Sequence, residues 1–188
     1  GNTVPVITQM TYVKKSIVAA ICIALCVVLP LVFHSIQNAG NIFCPMHIPV
    51  LLSGLLLGGP FGLLCGLAGP ILSSLITGMP SLAYLPSMMV ELAAYGAITG
   101  LMMQLIRTKK IYVDLYVSLI IALIVGRIIA GVTRALIFFP GSYSMAAWTT
   151  SYFVTCLPGI AIQFILIPAI VLALEKARLI PMRYPNQS

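Results

Sequence analysis

The chain has 188 residues, of which 61% are hydrophobic and only 7% charged, with a net charge of +7. A soluble domain carries about 25% charged residues, so this chain lacks the polar surface that a soluble globule of its length needs. The composition excludes a cytosolic enzyme, a nucleic-acid module and a disordered chain as leading interpretations. It predicts a single integral membrane domain over residues 1–188.

Six apolar stretches follow one another along the chain, and a spanning helix needs about 20 apolar residues. We predict membrane spans at 16–33, 45–57, 61–77, 85–106, 112–139 and 151–174. The second stretch is short and ends at the sequence Gly58-Gly59-Pro60. It is therefore a short crossing helix, a re-entrant segment or a part of the third span.

The basic residues orient these spans and decide their number, because Lys and Arg gather in cytoplasmic loops. With six spans and a cytoplasmic N-terminus, three basic clusters all lie inside; their members are Lys14, Lys15, Arg107, Lys109, Lys110, Lys176, Arg178 and Arg183. With only five spans, the middle cluster, which consists of Arg107, Lys109 and Lys110, would lie outside. We therefore predict an all-α, compact bundle of six transmembrane helices, with residues 1–14 and 177–188 as cytoplasmic termini.

Small residues at four-residue spacing mark close helix contacts within membranes. One such series runs through the second turn and third span, and another lies in the fourth; they are Gly54, Gly58, Gly62, Gly66, Gly96 and Gly100. We predict that these glycines pack helices inside the bundle. Ser16, Ala20 and Ala24 form a similar stripe on the first span, which suits packing inside the bundle and docking of another membrane protein equally well.

Three ionisable residues lie at membrane depth: Glu91, Arg127 and Arg134. Each costs about 2.5–3.5 kcal/mol at the centre of a helix, which favours a functional role. At 1.5 Å per residue, Glu91 and Arg134 lie at matching depths and can pair, and such a pair alone can tie two helices together. Arg127 is two turns deeper and has no acidic partner left, which favours an anionic ligand or a water-filled cavity.

Further polar side chains occur in the same outer half of the predicted bundle: Tyr95, His47 and Gln163. A histidine at the start of a helix also serves as a cap, so His47 has two interpretations. The sequence has no His/Cys cluster suited to a metal, no Ser/His/Asp set and no glycine loop of the Walker type. We therefore predict no catalytic residue, no metal and no cofactor.

Two motifs resemble the substrate-binding subunits of energy-coupling factor (ECF) vitamin transporters. They are PMHIPVLL at 45–52 and ELAAYG at 91–96, with Gly54, Gly62, Gly66, Pro70, Ser73, Ser74, Gly78 and Pro80 between them. The resemblance covers nearly the whole chain, including the six-span plan. The motifs are typical of a subgroup that includes subunits for pantothenate and folate.

The resemblance implies a subunit of the bacterial plasma membrane that captures a vitamin from outside. It then docks on a transmembrane coupling subunit that carries two ATP-binding subunits, so ATP is consumed by partner chains. Family members dock through small residues of the first span, which match Ala20 and Ala24 here, and Ser16 continues the stripe. The implied ligand-binding residues are Asn41, His47, Glu91, Tyr95, Arg127, Arg134, Trp148, Tyr152 and Gln163.

Within that set, Arg127 or Arg134 would hold a carboxylate, because a guanidinium forms paired hydrogen bonds to it. Asn41 and His47 would bind neutral groups, while Trp148 and Tyr152 would cover an apolar part. Trp148 is equally well explained as an aromatic residue of the membrane interface. The surplus of arginine favours an anionic vitamin, with pantothenate first and folate and biotin as alternatives.

Two other functions compete with this interpretation. A stand-alone carrier or channel is one, although the sequence shows no internal repeat beyond the glycine spacing. A membrane-embedded acyl or prenyl transferase is the other. It would need paired carboxylates or a His- or Cys-based centre, for which only Glu91 and His47 are available.

Overall fold

The computed structural model describes residues 10–33, 44–181 and 183–184, and within these ranges the regular structure is entirely helical. The α-helices are α1 (Tyr12–Val32), α2 (His47–Leu57), α3 (Gly59–Thr77), α4 (Leu85–Leu105), α5 (Ile111–Thr133), α6 (Met145–Thr149) and α7 (Leu157–Lys176). Two π-helical stretches accompany them. The first π segment (Arg134–Phe138) extends α5, and the second (Thr150–Thr155) follows α6.

Within the described ranges, five helices are long and apolar enough to cross a membrane: α1, α3, α4, α5 with its π segment, and α7. The prediction of an all-helical membrane protein is therefore confirmed. The α2 helix has 11 residues, which is about 16 Å at 1.5 Å per residue. It covers about half of the ~30 Å hydrocarbon core, so the sixth crossing stays a prediction.

The short α2 helix occupies the centre of the bundle. Every one of its residues is buried, and it packs against α1, α3, α4 and α7. A helix that is apolar on all sides is stable in a protein core or in lipid, and here the neighbouring helices bury every residue of it. The sequence HIPVLLSGLLL therefore forms a core helix, and its first residue, His47, brings a polar ring into the interior.

The chain reverses direction between α2 and α3. Gly58 has φ 100° and ψ 174°, a backbone conformation that residues other than glycine rarely adopt. Gly54 and Gly62 lie four residues before and four residues after Gly58. A Cβ atom on Gly62 would nevertheless lie only 2.9 Å from the Cα of Gly54, so the chain turns back on itself at Gly58. The two helices thus form an antiparallel pair, and the alternative in which α2 is part of the third span is excluded.

The glycine series packs the α2–α3 pair against α4, as the spacing predicts. The backbones of Gly62 and Gly96 lie so close that a Cβ atom on either would overlap the other. Gly66 contacts the backbone of Leu92 in the same manner. A larger side chain at these positions would clash with the facing backbone, so the register of α3 on α4 is well defined. Glu91 lies one residue before the last of these contacts.

The predicted bounds of the outer helices need correction. The span predicted at 112–139 changes to π-helix at Arg134, and the one predicted at 151–174 is divided at Cys156. At the N-terminus α1 begins at Tyr12, so Lys14 and Lys15 lie within its first turn instead of before it. π-Helical turns widen the backbone locally and often occur at functional sites, and here both lie next to the buried charges.

Arg183 was counted among the cytoplasmic loop cations, and that interpretation was incomplete. Its side chain is buried, with 2% exposed, and its Nε donates to Asp114 Oδ2 at 2.7 Å. The residues after α7 therefore fold back onto the bundle, where Arg183 and Asp114 form a buried ion pair. Asp114 lies in the first turn of α5, so this pair marks the end of α5 away from Arg134.

Candidate functional site

A buried carboxylate, Glu91 on α4, is the centre of a polar cluster. Its Oε2 lies 2.9 Å from Nε2 of His47, at the start of α2. Its Oε1 accepts a hydrogen bond from the Tyr152 hydroxyl and lies 3.7 Å from Nη2 of Arg134. Glu91 thus joins α2, α4 and both π segments, and the pairing with Arg134 that their matching depths predict is present.

The π segments explain how Arg134 and Tyr152 reach Glu91. Arg134 is the first residue of one π segment, and Tyr152 is the third residue of the other. A π turn shifts the side chains that follow it around the helix axis, so it directs residues that a regular helix would place elsewhere. The guanidinium carbon of Arg134 lies 5.3 Å from the centre of the Tyr152 ring, a cation–π distance.

Arg127 lies beneath this cluster and is only 1% exposed. Its Nε donates to the backbone oxygen of Tyr152 at 3.1 Å, and its guanidinium carbon lies 5.7 Å from the rings of Tyr95 and Tyr152. Its Nη1 and Nη2 atoms are buried without a hydrogen-bond partner among the residues that the structure describes. Leaving such donors unsatisfied costs about 1–3 kcal/mol or more, so they are suited to an incoming acceptor.

Other buried polar atoms share this property. In the described ranges the Tyr95 hydroxyl, Nδ1 of His47, Nε of Arg134 and both amide atoms of Gln163 have no hydrogen-bond partner. Native proteins leave few buried polar atoms unsatisfied. Gln163, on α7, is 0% exposed, and its amide can both donate and accept. These residues therefore provide neutral hydrogen-bonding groups in addition to the cation.

Tyr95 is held in place by contacts on two sides. Its ring lies against Gly126 of α5, where a Cβ atom would overlap it, and its centre is 5.1 Å from that of the His47 ring. The phenol therefore lies between α5 and the start of α2. Gly126 contributes to the site by leaving room for the ring, a role that its own spacing in the sequence did not reveal.

Trp148 lies at the edge of the cluster. Its indole Nε1 donates to the backbone oxygen of Arg127 at 2.9 Å, and its ring lies against Gly131. It also lines an apolar groove of about 380 Å³ between α5 and the residues around α6, which include Tyr143 and Met145. Trp148 thus fastens α6 to α5 beside Arg127, whether or not it touches a ligand.

The sequence-predicted residues have different positions in the structure. Contacts link six of them in one cluster: His47, Glu91, Tyr95, Arg127, Arg134 and Tyr152. Trp148 borders the cluster and Gln163 is buried on α7, while Asn41 lies outside the described residues. The stripe formed by Ser16, Ala20 and Ala24 is exposed on α1. The structure also brings together two residues that sequence reasoning missed, Cys44 and Cys156, whose sulfurs are 3.2 Å apart.

The fold and site together define a multi-pass membrane protein with a buried, cationic polar cluster. The chain matches the family model "ECF transporter, substrate-specific component" over residues 14–171. It therefore belongs to this family of transporters, whose members bind a small substrate and work with a membrane coupling subunit and ATPases. No curated protein and no solved structure gave a match.

Proposed function

We propose that this chain is the vitamin-binding subunit of an ECF-type ABC importer in a bacterial plasma membrane. It crosses the membrane six times, with both termini in the cytoplasm. It captures a small anionic vitamin from outside and delivers it through a coupling subunit with two ATP-binding subunits. The observation on which the proposal depends is the buried Arg127 guanidinium, whose Nη1 and Nη2 atoms have no hydrogen-bond partner in the part of the chain that the structure describes.

The charges around the site support an anionic ligand. Glu91 is contacted by His47, Tyr152 and the partly buried Arg134, whereas the fully buried Arg127 forms no ion pair with the described residues. A ligand carboxylate would accept two parallel hydrogen bonds from its Nη atoms, the strong arrangement for this pair. It would also neutralise a charge whose burial is otherwise costly.

Pantothenate fits this arrangement, with folate and biotin as alternatives. Pantothenate combines one carboxylate with hydroxyl and amide groups. The carboxylate suits Arg127, and the neutral groups suit the Tyr95 hydroxyl and the Gln163 amide, which are buried without partners in the described ranges. The motif at 45–52 that carries His47 points to the same subgroup of vitamin subunits.

The exposed face of α1 supports docking on a coupling subunit. Ser16, Ala20 and Ala24 are exposed, whereas Ala19, Cys22 and Cys26 of the same helix are buried against the bundle. Small residues allow close approach of a second helix in lipid. The antiparallel pair of α2 and α3 supports the proposed six-span topology. The positions of the basic clusters require two separate crossings at this point of the chain, and α2 and α3 are two separate helices.

The proposal is tested by identifying what the protein binds. The full chain, purified in mild detergent, is denatured, and the released small molecules are identified by mass spectrometry. Titration of the emptied protein with pantothenate, folate and biotin is followed by calorimetry, with neutral pantothenol as the matched control for the carboxylate. We expect pantothenate to bind and pantothenol to bind at least ~100-fold more weakly, since two charge-assisted hydrogen bonds are lost. Equal affinity for the acid and the alcohol contradicts an anion site.

A further inference from the structure

Two cysteines that are far apart in sequence meet beside the polar cluster. The sulfurs of Cys44 and Cys156 are 3.2 Å apart, although 112 positions separate the residues. Both side chains are buried. A disulfide needs a sulfur–sulfur distance of about 2.05 Å, so the thiols would have to approach by about 1.2 Å to form one.

Each of these cysteines lies at the start of a helix that frames the site. The backbone oxygen of Cys44 accepts from the amide of His47 at 3.1 Å, so Cys44 lies at the beginning of α2. The backbone oxygen of Cys156 accepts from the amide of Ile160 at 2.9 Å, in the first turn of α7. Cys156 also directly follows the π segment that contains Tyr152. A bond between the two sulfurs would therefore join the backbones that carry two of the contacts to Glu91.

The remaining buried thiols have a different environment. Cys26 donates to the backbone oxygen of Met46, and Cys65 donates to that of Ala19. These thiols act as weak hydrogen-bond donors between packed helices, a common structural role of buried cysteine. They provide internal controls in the same molecule for the chemistry of the Cys44–Cys156 pair.

We propose that Cys44 and Cys156 form a reversible disulfide that covalently closes the outer end of the polar cluster. The oxidant is a low-molecular-weight disulfide, RSSR. One cysteine loses its proton and its thiolate attacks RSSR, which releases the first RSH and leaves a mixed disulfide. The second thiolate then attacks the cysteine sulfur of that mixed disulfide and releases the second RSH. The two cysteines lose two electrons and two protons in total, and the two RS groups gain them.

The cross-link would restrict entry to the site. Glu91 and Arg127 are 3% and 1% exposed, so a ligand reaches them only when the helices around the cluster separate. A disulfide between the starts of α2 and α7 opposes that separation. In the proposed topology this end faces the outside, where disulfides persist. The role in ligand entry therefore rests on the proposed function, whereas formation of the disulfide does not.

Peptide mapping tests whether the bond forms. The purified full chain is incubated with oxidised glutathione or with dithiothreitol, denatured, alkylated and digested. We expect a cross-linked peptide pair containing Cys44 and Cys156 only in the oxidised sample, two hydrogens lighter than the separate peptides, with Cys22, Cys26 and Cys65 alkylated. Alkylated Cys44 and Cys156 after oxidation, or equal cross-linking to the other cysteines, would overturn the proposal.

Hydrogen exchange then tests whether the bond closes the site, without any ligand. We expect exchange in peptides that contain His47 and Tyr152 to slow by roughly tenfold or more on oxidation, because local opening is restricted. Cys156→Ser should remove this redox dependence, and Cys65→Ser should retain it. Unchanged exchange in the cross-linked protein would overturn the closing role. A protein that shows redox-dependent exchange yet binds no vitamin would contradict the proposed function alone.

Discussion

The protein contains two buried polar clusters at opposite ends of α5, and they differ in how completely their hydrogen bonds are satisfied. At the end near Arg183, Asp114 accepts from the backbone and side chain of Thr108 at 3.0 and 2.7 Å, from Arg183 Nε and from the Tyr184 hydroxyl. Arg183 also donates to the backbone oxygens of Met103 and Ile106, at the end of α4. At the other end, Arg127 keeps two buried nitrogens that lack a partner in the described part of the chain.

This difference distinguishes a cluster whose polar atoms are satisfied from one that keeps buried donors without a described partner. The last carbonyls of a helix have no partner within that helix, and Arg183 satisfies two of them at the end of α4 while Asp114 neutralises its charge. A fully satisfied network makes the packing unique. Arg127 has the same chemistry and is equally buried, but its Nη1 and Nη2 atoms have no hydrogen-bond partner among the described residues. We infer that the Asp114–Arg183 cluster stabilises the fold, whereas the Glu91–Arg127 cluster is prepared for a ligand.

The largest expected effect on stability comes from breaking the satisfied cluster. Arg183→Ala leaves the Asp114 carboxylate buried and without its cation, which typically costs about 3–5 kcal/mol. Thermal denaturation of the purified chain in detergent should show a strongly reduced melting temperature. Arg178→Ala is the matched control, because Arg178 is exposed and its removal should have little effect. Equal melting temperatures for the two variants would mean that the Asp114–Arg183 pair contributes nothing to stability.

Removing the unsatisfied cation should act on binding instead of on folding. Arg127→Ala deletes the two donors that we assign to the ligand carboxylate, so vitamin affinity should fall by at least ~100-fold. The melting temperature of the ligand-free protein should change far less than in Arg183→Ala. Of the deleted nitrogens only Nε makes a hydrogen bond, to the backbone oxygen of Tyr152, whereas Nη1 and Nη2 make none to the described residues. Calorimetry and thermal denaturation measure the two effects, and wild-type affinity in this variant would remove Arg127 from the site.

A smaller effect is expected at Glu91, whose carboxylate positions its neighbours. Glu91→Gln keeps the shape but removes the negative charge that His47 and Arg134 contact. A hydrogen bond to a charged group contributes about 1.5–3 kcal/mol. We expect an intermediate loss of both stability and affinity, because the contacts to Tyr152 and Arg134 weaken together. An unchanged affinity with reduced stability would show that Glu91 only ties helices together.

The smallest effect on the isolated protein is expected at the exposed stripe of α1. Bulky residues at Ala20 and Ala24, such as Leu at both, face away from the bundle and should leave stability and vitamin binding unchanged. Uptake by cells that contain the coupling module should nevertheless stop, because a second helix can no longer approach closely. Val28→Leu, at another exposed position of the same helix, is the control. Normal uptake by the Ala20/Ala24 double variant would exclude the docking role.

The sequence by itself determined the features that depend on local patterns. The length of the apolar stretches defined the helical membrane class. The four-residue glycine spacing predicted close helix packing inside the bundle, because residues on neighbouring turns of a helix share one face, but it did not say which helices meet. The placement of Glu91, Arg127 and Arg134 at membrane depth followed from the rise per residue of a helix. These inferences need only the geometry of one element at a time.

Contacts between distant segments were decided only by the tertiary structure. Separations of 61, 69 and 112 residues divide Tyr152 from Glu91, Arg183 from Asp114 and Cys44 from Cys156. The π segments, the complete burial of α2 and the folded-back residues after α7 determine these contacts. None of them has a periodic signal, because they depend on how several helices pack at once. The sequence thus revealed that charges enter the membrane, while packing decided which of them have their hydrogen bonds satisfied by the described residues.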